Sequence, residues 1–188
     1  MKRKKYFKFA LVGATCTGKT SIIEHLKEKY KDNSKIVFVE EGARAYFAAN
    51  PNIKDRGAWK VQTGIRDFVF DNEKKAGKNS PTILVCDRSI IDSAVYMEAH
   101  GDRKSADKLF KTIIPWVSTY NKILMLDPTE VPYKMDKIRN EGEDFRNHVH
   151  DTFVKFFIRN NIKYELVKGT LQERIEYVEG VLKLSPYA

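Results

Sequence analysis

Gly13-Ala-Thr-Cys-Thr-Gly18-Lys19-Thr20 fits the pattern G-x-x-x-x-G-K-[S/T] without a mismatch. From average residue usage, chance would place such a match in a chain of this length about once in two hundred sequences. An apolar run leads into the motif and an amphipathic segment leads out, which is the strand–loop–helix context the motif requires. The glycines let the backbone wrap an anion, and successive N–H groups at a helix N-terminus point at phosphate oxygens. Lys19 adds a point charge, and the Thr20 hydroxyl, with Ser21 beside it, suits a Mg2+ ion held against phosphates. Gly13, Thr15, Cys16, Thr17, Gly18, Lys19, Thr20 and Ser21 are therefore expected to bind a nucleoside triphosphate. Cys16 has no partner histidine in view, so it reads as a small side chain filling the loop and not as a nucleophile.

Two further acidic segments follow apolar runs. One run, 36–39, ends in Glu40-Glu41-Gly42-Ala43-Arg44, and another, 82–86, ends in Asp87-Arg88-Ser89. Acids at the carboxyl end of a strand lie at the mouth of an α/β sheet, where ligands bind. Glu40 or Glu41 could orient an acceptor hydroxyl and take its proton during phosphoryl transfer, and the pattern does not choose between them. Asp87 stands where a carboxylate organises Mg2+ in triphosphate-binding proteins of this loop type, which makes Thr20 and Asp87 the expected metal pair. Arg88 could hold phosphate oxygens bidentately. A polar stretch over about 129–146 carries Lys134, Lys137, Arg139 and Arg146. Its arginines could close as a lid over the triphosphate and stabilise charge on the transferred group.

The elements that must position these groups follow from hydrophobic periodicity. Strand-length apolar runs at 7–12, 36–39, 82–86, 123–126 and 164–167 alternate with longer stretches of helical period. That alternation predicts an α/β three-layer fold, a five-stranded parallel sheet with helices on both faces, in a single domain over 1–188. Helices are expected over 21–30, over 59–75 with Val61, Ile65, Phe68 and Val69 on one stripe, and along Phe145, Val149, Phe153, Phe156 and Phe157. Ser89-Ile-Ile-Asp92 and Thr170-Leu-Gln-Glu173 read as capping boxes opening helices that run to about 100 and 184. His148 and His150, two apart on a helix, point about 200° away from each other and are read as surface residues with no zinc site.

The 188 residues carry a net charge of +9, which favours anionic partners, either phosphorylated small molecules or nucleic acid. Acidic residues interleave with the basic ones, however, and a solvated surface explains most of the excess. No uncharged apolar run approaches membrane-spanning length, so no membrane partner is expected. The basic residues at 1–5 precede a short apolar run, but Lys8 interrupts it, which argues against a secretory leader. Two cysteines suit a reducing cytoplasm. The guanine-reading N-K-x-D pattern is absent, because Asn121-Lys122 is followed by Ile123 and Leu124.

Taken together, the phosphate loop, Glu-Glu-Gly-Ala-Arg, Asp-Arg-Ser-x-x-Asp and the late arginine-bearing segment resemble the P-loop nucleoside and nucleotide kinases. Within them the chain is similar, from about residue 7 to 181, to the ribosylnicotinamide kinase-type domain of NAD-biosynthesis regulators, also described as an ATPase/kinase of NAD metabolism. The resemblance implies strand order 2-3-1-4-5, ATP as donor, Mg2+, a small lid and a small-molecule acceptor such as nicotinamide riboside or another nucleoside. It implies that Glu40 or Glu41 faces the acceptor, that Asp87 and Arg88 occupy the kinases' acid–arginine pair, and that Gln62 reads the acceptor base. Lys168-Gly169-Thr170 would pack the adenine. Lys19, Arg88, Arg139 and Arg146 would stabilise transferred charge. Three rival activities remain open at this level, one of them a nucleic-acid 5′-kinase or binder that exploits the net charge of +9. Arg44, Arg66 and Arg88 could instead hold the phosphate of a nucleoside monophosphate, or the chain could sense nucleotides without phosphorylating a small molecule.

Overall fold

A computed structural model describes residues 6–79, 81–133 and 142–185. Strands β1 (Phe7–Val12), β2 (Ile36–Val39), β3 (Ile83–Asp87), β4 (Lys122–Leu126) and β5 (Glu165–Val167) form one parallel sheet in the order β2-β3-β1-β4-β5. β1 lies between β3 and β4, with Ala10 beside both Cys86 and Ile123. A central parallel strand is covered on both faces, which explains why every residue of Phe7–Val12 is buried and the run is almost wholly apolar. The exception is Lys8.

The helices are α1 (Lys19–Lys29), α2 (Gly42–Ala49), α3 (Trp59–Lys78), α4 (Asp92–Ala99), α5 (Arg103–Val117), α6 (Glu143–Arg159) and α7 (Leu171–Lys183). Side-chain alternation divides the sheet between two cores. Phe9, Leu11, Val85 and Leu124 pack against Ile22 and Leu26 of α1 and Val178 and Leu182 of α7. Ala10, Val12, Leu84 and Met125 face α3, α4, α5 and α6, where Phe153, Phe156 and Phe157 supply most of the aromatic volume. The expected three-layer architecture and strand order are both present. No described helix is long and apolar enough to cross a membrane.

Local expectations held unevenly. Thr170 and Glu173 form the reciprocal capping box that opens α7. Ser89-Ile-Ile-Asp92 does not open α4, which begins only at Asp92. The Asp92 carboxylate instead accepts from the Ser89 N–H at 2.9 Å and the Ser89 hydroxyl at 2.8 Å, folding a turn ahead of the helix. Its other oxygen is claimed by Arg88, so it serves two partners at once. On α3 the buried arc contains Val61, Gln62, Ile65, Val69 and Glu73, while Phe68 lies at its edge and stays 38% exposed. His148 is exposed, as expected, but His150 is half-buried on α6 and close enough to Asp127 to feel its charge.

Candidate active site

Because all five strands are parallel, their carboxyl ends share one edge. That edge collects Gly13, Glu40, Asp87, Asp127 and Lys168, each just at or beyond a strand end. The loop after β1 turns sharply at Gly13, whose φ of 128° is open only to glycine and where a Cβ would sit 3.0 Å from the Leu126 carbonyl oxygen. Cys16 is left-handed at φ 55°, and Gly18 at φ 85° caps α1. The Lys19 ammonium is folded into the loop, donating to the Ala14 carbonyl at 2.5 Å, the Gly13 carbonyl at 3.1 Å and the Thr17 hydroxyl at 3.0 Å. A buried cation surrounded by a wrapped backbone is what a polyphosphate needs.

Arg88 organises the other side of the mouth. It is buried and left-handed at φ 72°, a conformation that costs a residue with a Cβ roughly 1–2 kcal/mol. Its Nε meets Glu41 Oε1 at 2.5 Å, and its Nη1 donates to Asp92 Oδ1 at 3.0 Å, to the Gly13 carbonyl at 3.1 Å and to the Tyr96 hydroxyl at 3.3 Å. Burial works against its charge, yet Tyr96, Asp92 and Asp87 more than offset that and hold it above the ordinary arginine range. One side chain thus ties the end of β3 to the phosphate loop, to α4 and to the acid after β2.

The structure separates the two adjacent glutamates. The Glu41 side chain is 7% exposed and locked to Arg88, whereas Glu40 is 81% exposed and paired with Lys27 at 2.9 Å. The Lys27 hydrogen bond holds the Glu40 carboxyl below the usual glutamate range. Glu41 lines a hollow with Phe47, Gln62, Arg88, Asp92 and Tyr96. Gln62 is buried there and donates to the Arg56 carbonyl at 2.7 Å. The guanidinium of Arg56 lies 4.8 Å from the centre of the Phe47 ring. Arg44 approaches Glu41 at 3.6 Å and lines a second hollow with Thr20, Glu40 and Asp87.

Asp87 is the electrostatic anomaly of the site. Its Oδ1 is buried with no hydrogen-bond partner among the described residues. Burial pushes the carboxyl up, against the opposing pull of Lys19 and Arg88. An orphaned carboxylate oxygen on a residue that lines the same hollow as Thr20 fits Mg2+, which takes one or two carboxylates and fills its remaining positions with water and phosphate oxygens. No cluster of three or more His, Cys, Asp or Glu able to hold a metal occurs among the described residues, and Mg2+ carried on a triphosphate needs none.

Other expected residues lie elsewhere. Arg66 turns to α5, donating to the Thr112 hydroxyl at 3.1 Å, and does not line the hollow beside Glu41. Arg146 donates to the Val131 carbonyl at 2.8 Å and to Glu143 at 2.7 Å, fastening the start of α6 to the segment after β4. Arg139, with Lys134 and Lys137, lies outside the described residues, as does the middle of the expected lid.

Arg174 is the residue that motif reading missed. Fully buried, it donates to the Gly169 carbonyl at 2.6 Å, the Asp127 carbonyl at 2.7 Å and the Thr17 carbonyl at 3.1 Å. It therefore clamps the phosphate loop to the loops after β4 and β5. Its helical spacing to Val178 and Val181 placed it on the buried stripe of α7, and a charge there was the available signal.

A family model for an AAA domain matches residues 8–174. The chain belongs to that family. Among curated proteins it is similar to the thymidylate kinase of Nautilia profundicola, 26% identical across 86% of this chain and 88% of the relative. Among solved structures it superposes on NadR protein in complex with NR with a TM-score of 0.77 and 21% identity, covering 97% of this chain and 52% of that one. The chain thus spans about half the length of NadR. A thymidylate kinase from Ehrlichia chaffeensis gives a TM-score of 0.63 at 20% identity, over 94% and 98% of the two chains. These likenesses show that the chain shares its fold with those proteins.

Proposed function

We propose that the protein transfers the γ-phosphoryl group of Mg-ATP to a hydroxyl of a nucleoside-like acceptor that carries no phosphate. The observation that carries this reading is the convergence of Glu41, Arg88 and Asp92 on a hollow immediately beside the phosphate loop. In this reading the loop N–H groups and Lys19 hold the polyphosphate, with Lys19 exchanging loop carbonyls for phosphate oxygens. Thr20 and Asp87 hold Mg2+, which when bound neutralises phosphate charge. Glu41 receives the acceptor proton as the acceptor oxygen bonds to phosphorus and the bond from phosphorus to the ADP oxygen breaks. Arg88 keeps Glu41 oriented, and its guanidinium faces the charge on the group in transfer. Arg174 keeps the loop and the Lys168–Thr170 turn in register, so that the adenine and phosphate subsites hold a fixed separation.

The charge balance of the hollow favours an acceptor without a phosphate over a phosphorylated one. Its lining carries two acids, Glu41 and Asp92, against two arginines, Arg56 and Arg88, and Arg88 is already committed to both acids. A dianionic phosphate would find no net positive charge there. Similarity to thymidylate kinase supports the competing monophosphate reading, and similarity to NadR in complex with NR supports the nucleoside one. A content of only two cysteines, Cys16 and Cys86, agrees with a cytoplasmic setting where ATP is abundant.

The test is incubation with Mg-ATP and pooled acceptors, with products identified by mass. The pool holds nucleosides, including nicotinamide riboside, together with nucleoside monophosphates and a 5′-hydroxyl oligonucleotide. A nucleoside gaining one phosphoryl mass is the expected result. Phosphorylation of a monophosphate or the oligonucleotide would replace the acceptor class. Nucleotide binding without ADP or phosphorylated product would favour a sensing module.

A further inference from the structure

Three hydrogen bonds hold the segment that carries Arg88. The Arg88 N–H donates to the Leu11 carbonyl at 2.9 Å, Asp92 gathers Ser89, and the Ile90 N–H donates to the Tyr120 hydroxyl at 3.0 Å. The last bond comes from outside the mouth. Tyr120 follows α5, and its hydroxyl donates to Glu73 Oε1 of α3 at 2.5 Å. The other Glu73 oxygen accepts from the Trp116 indole at 2.6 Å and from the Lys8 ammonium of β1. Lys8 also donates to the Thr119 hydroxyl at 3.0 Å and lies 3.8 Å from the Tyr120 ring centre. Lys8 and Glu73 are completely buried.

This arrangement fixes the direction of the Tyr120 hydroxyl. It has one proton, and it donates that proton to Glu73 Oε1. What remains toward Ile90 is a lone pair, which suits a backbone N–H. Burial and the neighbouring charge of Glu73 push the phenol well above its ordinary pKa, so it stays a donor to Glu73 throughout the physiological range.

We propose that Tyr120 is a positioning residue for phosphoryl transfer: by holding the Ile90 N–H it keeps Arg88 in its left-handed conformation and aimed at Glu41. The proposal rests on the role given to Arg88 above. Lys8 and Glu73 act one step further back, as the buried ion pair that orients the hydroxyl. Such pairs are weak sources of net stability, but they can select one arrangement among alternatives.

The experiment pairs amide exchange across residues 88–92 with steady-state transfer, in wild type, Tyr120→Phe and Thr119→Val. In wild type the Ile90 amide is expected to be protected as strongly as the amides of β3; exchange at the rate of an exposed loop would overturn the proposal even if no variant folded. Tyr120→Phe should speed Ile90 exchange and lower kcat about tenfold, with KM for ATP within about twofold, as loss of one buried hydrogen bond at the loop implies. Thr119→Val loosens the same cluster without touching the loop and should lower Tm while leaving exchange and kcat near wild type. In an Arg88→Lys background Tyr120→Phe should add almost nothing to the loss. Equal behaviour of Tyr120→Phe and Thr119→Val, or full additivity with Arg88→Lys, would reduce Tyr120 to a structural residue. Absence of transfer in wild type would refute the kinase reading instead, and the exchange measurement would still decide whether Tyr120 holds the loop.

Discussion

The sheet carries two buried charge clusters of similar composition and opposite character. Around Lys8, one cation meets one carboxylate, and the Tyr120, Trp116 and Thr119 side chains complete a sealed network in which both Glu73 oxygens are filled. Around Arg88, one guanidinium serves Glu41 and Asp92, Asp87 keeps an oxygen with no described partner, and a hollow opens onto the group. The first cluster balances its charges and excludes solvent. The second leaves negative charge undersatisfied at the place where a phosphate loop brings Lys19. Similar residue types thus build scaffold where the ledger of charge closes and chemistry where it stays open. Tyr120 and Ile90 are the bond between them.

The contrast breaks most severely at Lys19. Lys19→Ala should lower transfer about a thousandfold, the scale of removing a preorganised charge from a transition state, with the circular dichroism spectrum unchanged. Removing a cation from the open cluster should spare the fold, whereas Lys8→Ala should unfold the chain or strip several degrees from Tm by leaving Glu73 buried and unpaired.

The glutamate pair gives the next effect. Glu41→Gln should cost about a hundredfold in kcat, the lower range for a lost general base, while Glu40→Gln should stay within about twofold. Comparable losses in the two variants would contradict the assignment to the buried residue.

Asp87 sharpens the comparison through pH. Its folded-state pKa is raised by burial, so between the ordinary aspartate value and that raised value the folded chain binds more protons than the unfolded one. Stability must therefore fall as pH rises through that window. Asp87→Asn should abolish this component, gaining on wild type across the window in denaturant melts while transfer is lost. An unchanged pH dependence would mean that the orphaned oxygen carries no strain.

How much of this was legible beforehand depended on sequence distance. The phosphate loop was readable because eight contiguous residues contain its whole mechanism, and the sheet because each strand announces itself as a short apolar run. Glu41 and Arg88 could be nominated one by one, but 47 residues separate the glutamate from the arginine, and only the folded sheet brings them together. The same limit hid the Lys8–Glu73 pair, 65 residues apart, and left Glu40 and Glu41 indistinguishable. Ser89 and Asp92 misled for a different reason: their side chains do meet, but around a turn that precedes α4, while Arg88 holds the other Asp92 oxygen. Arg174 was visible only as a charge on an apolar stripe, with nothing in the sequence to say that it grips three carbonyls.

The smallest effect is local. Thr170→Ala removes the cap of α7 and should cost about 1 kcal/mol, or roughly 2–4 °C in Tm, with at most a few-fold rise in KM for ATP. A large loss of activity there would show that the capping turn, and not Arg174, fixes the loop after β5.

The most direct test of the open cluster is a competition. A nucleoside and its own 5′-monophosphate are supplied together with γ-labelled ATP and Mg2+, and label is followed into each product. Transfer to the nucleoside, lost in Glu41→Gln and kept in Glu40→Gln, is the predicted result. Label passing to the monophosphate, or only to inorganic phosphate, would contradict the account.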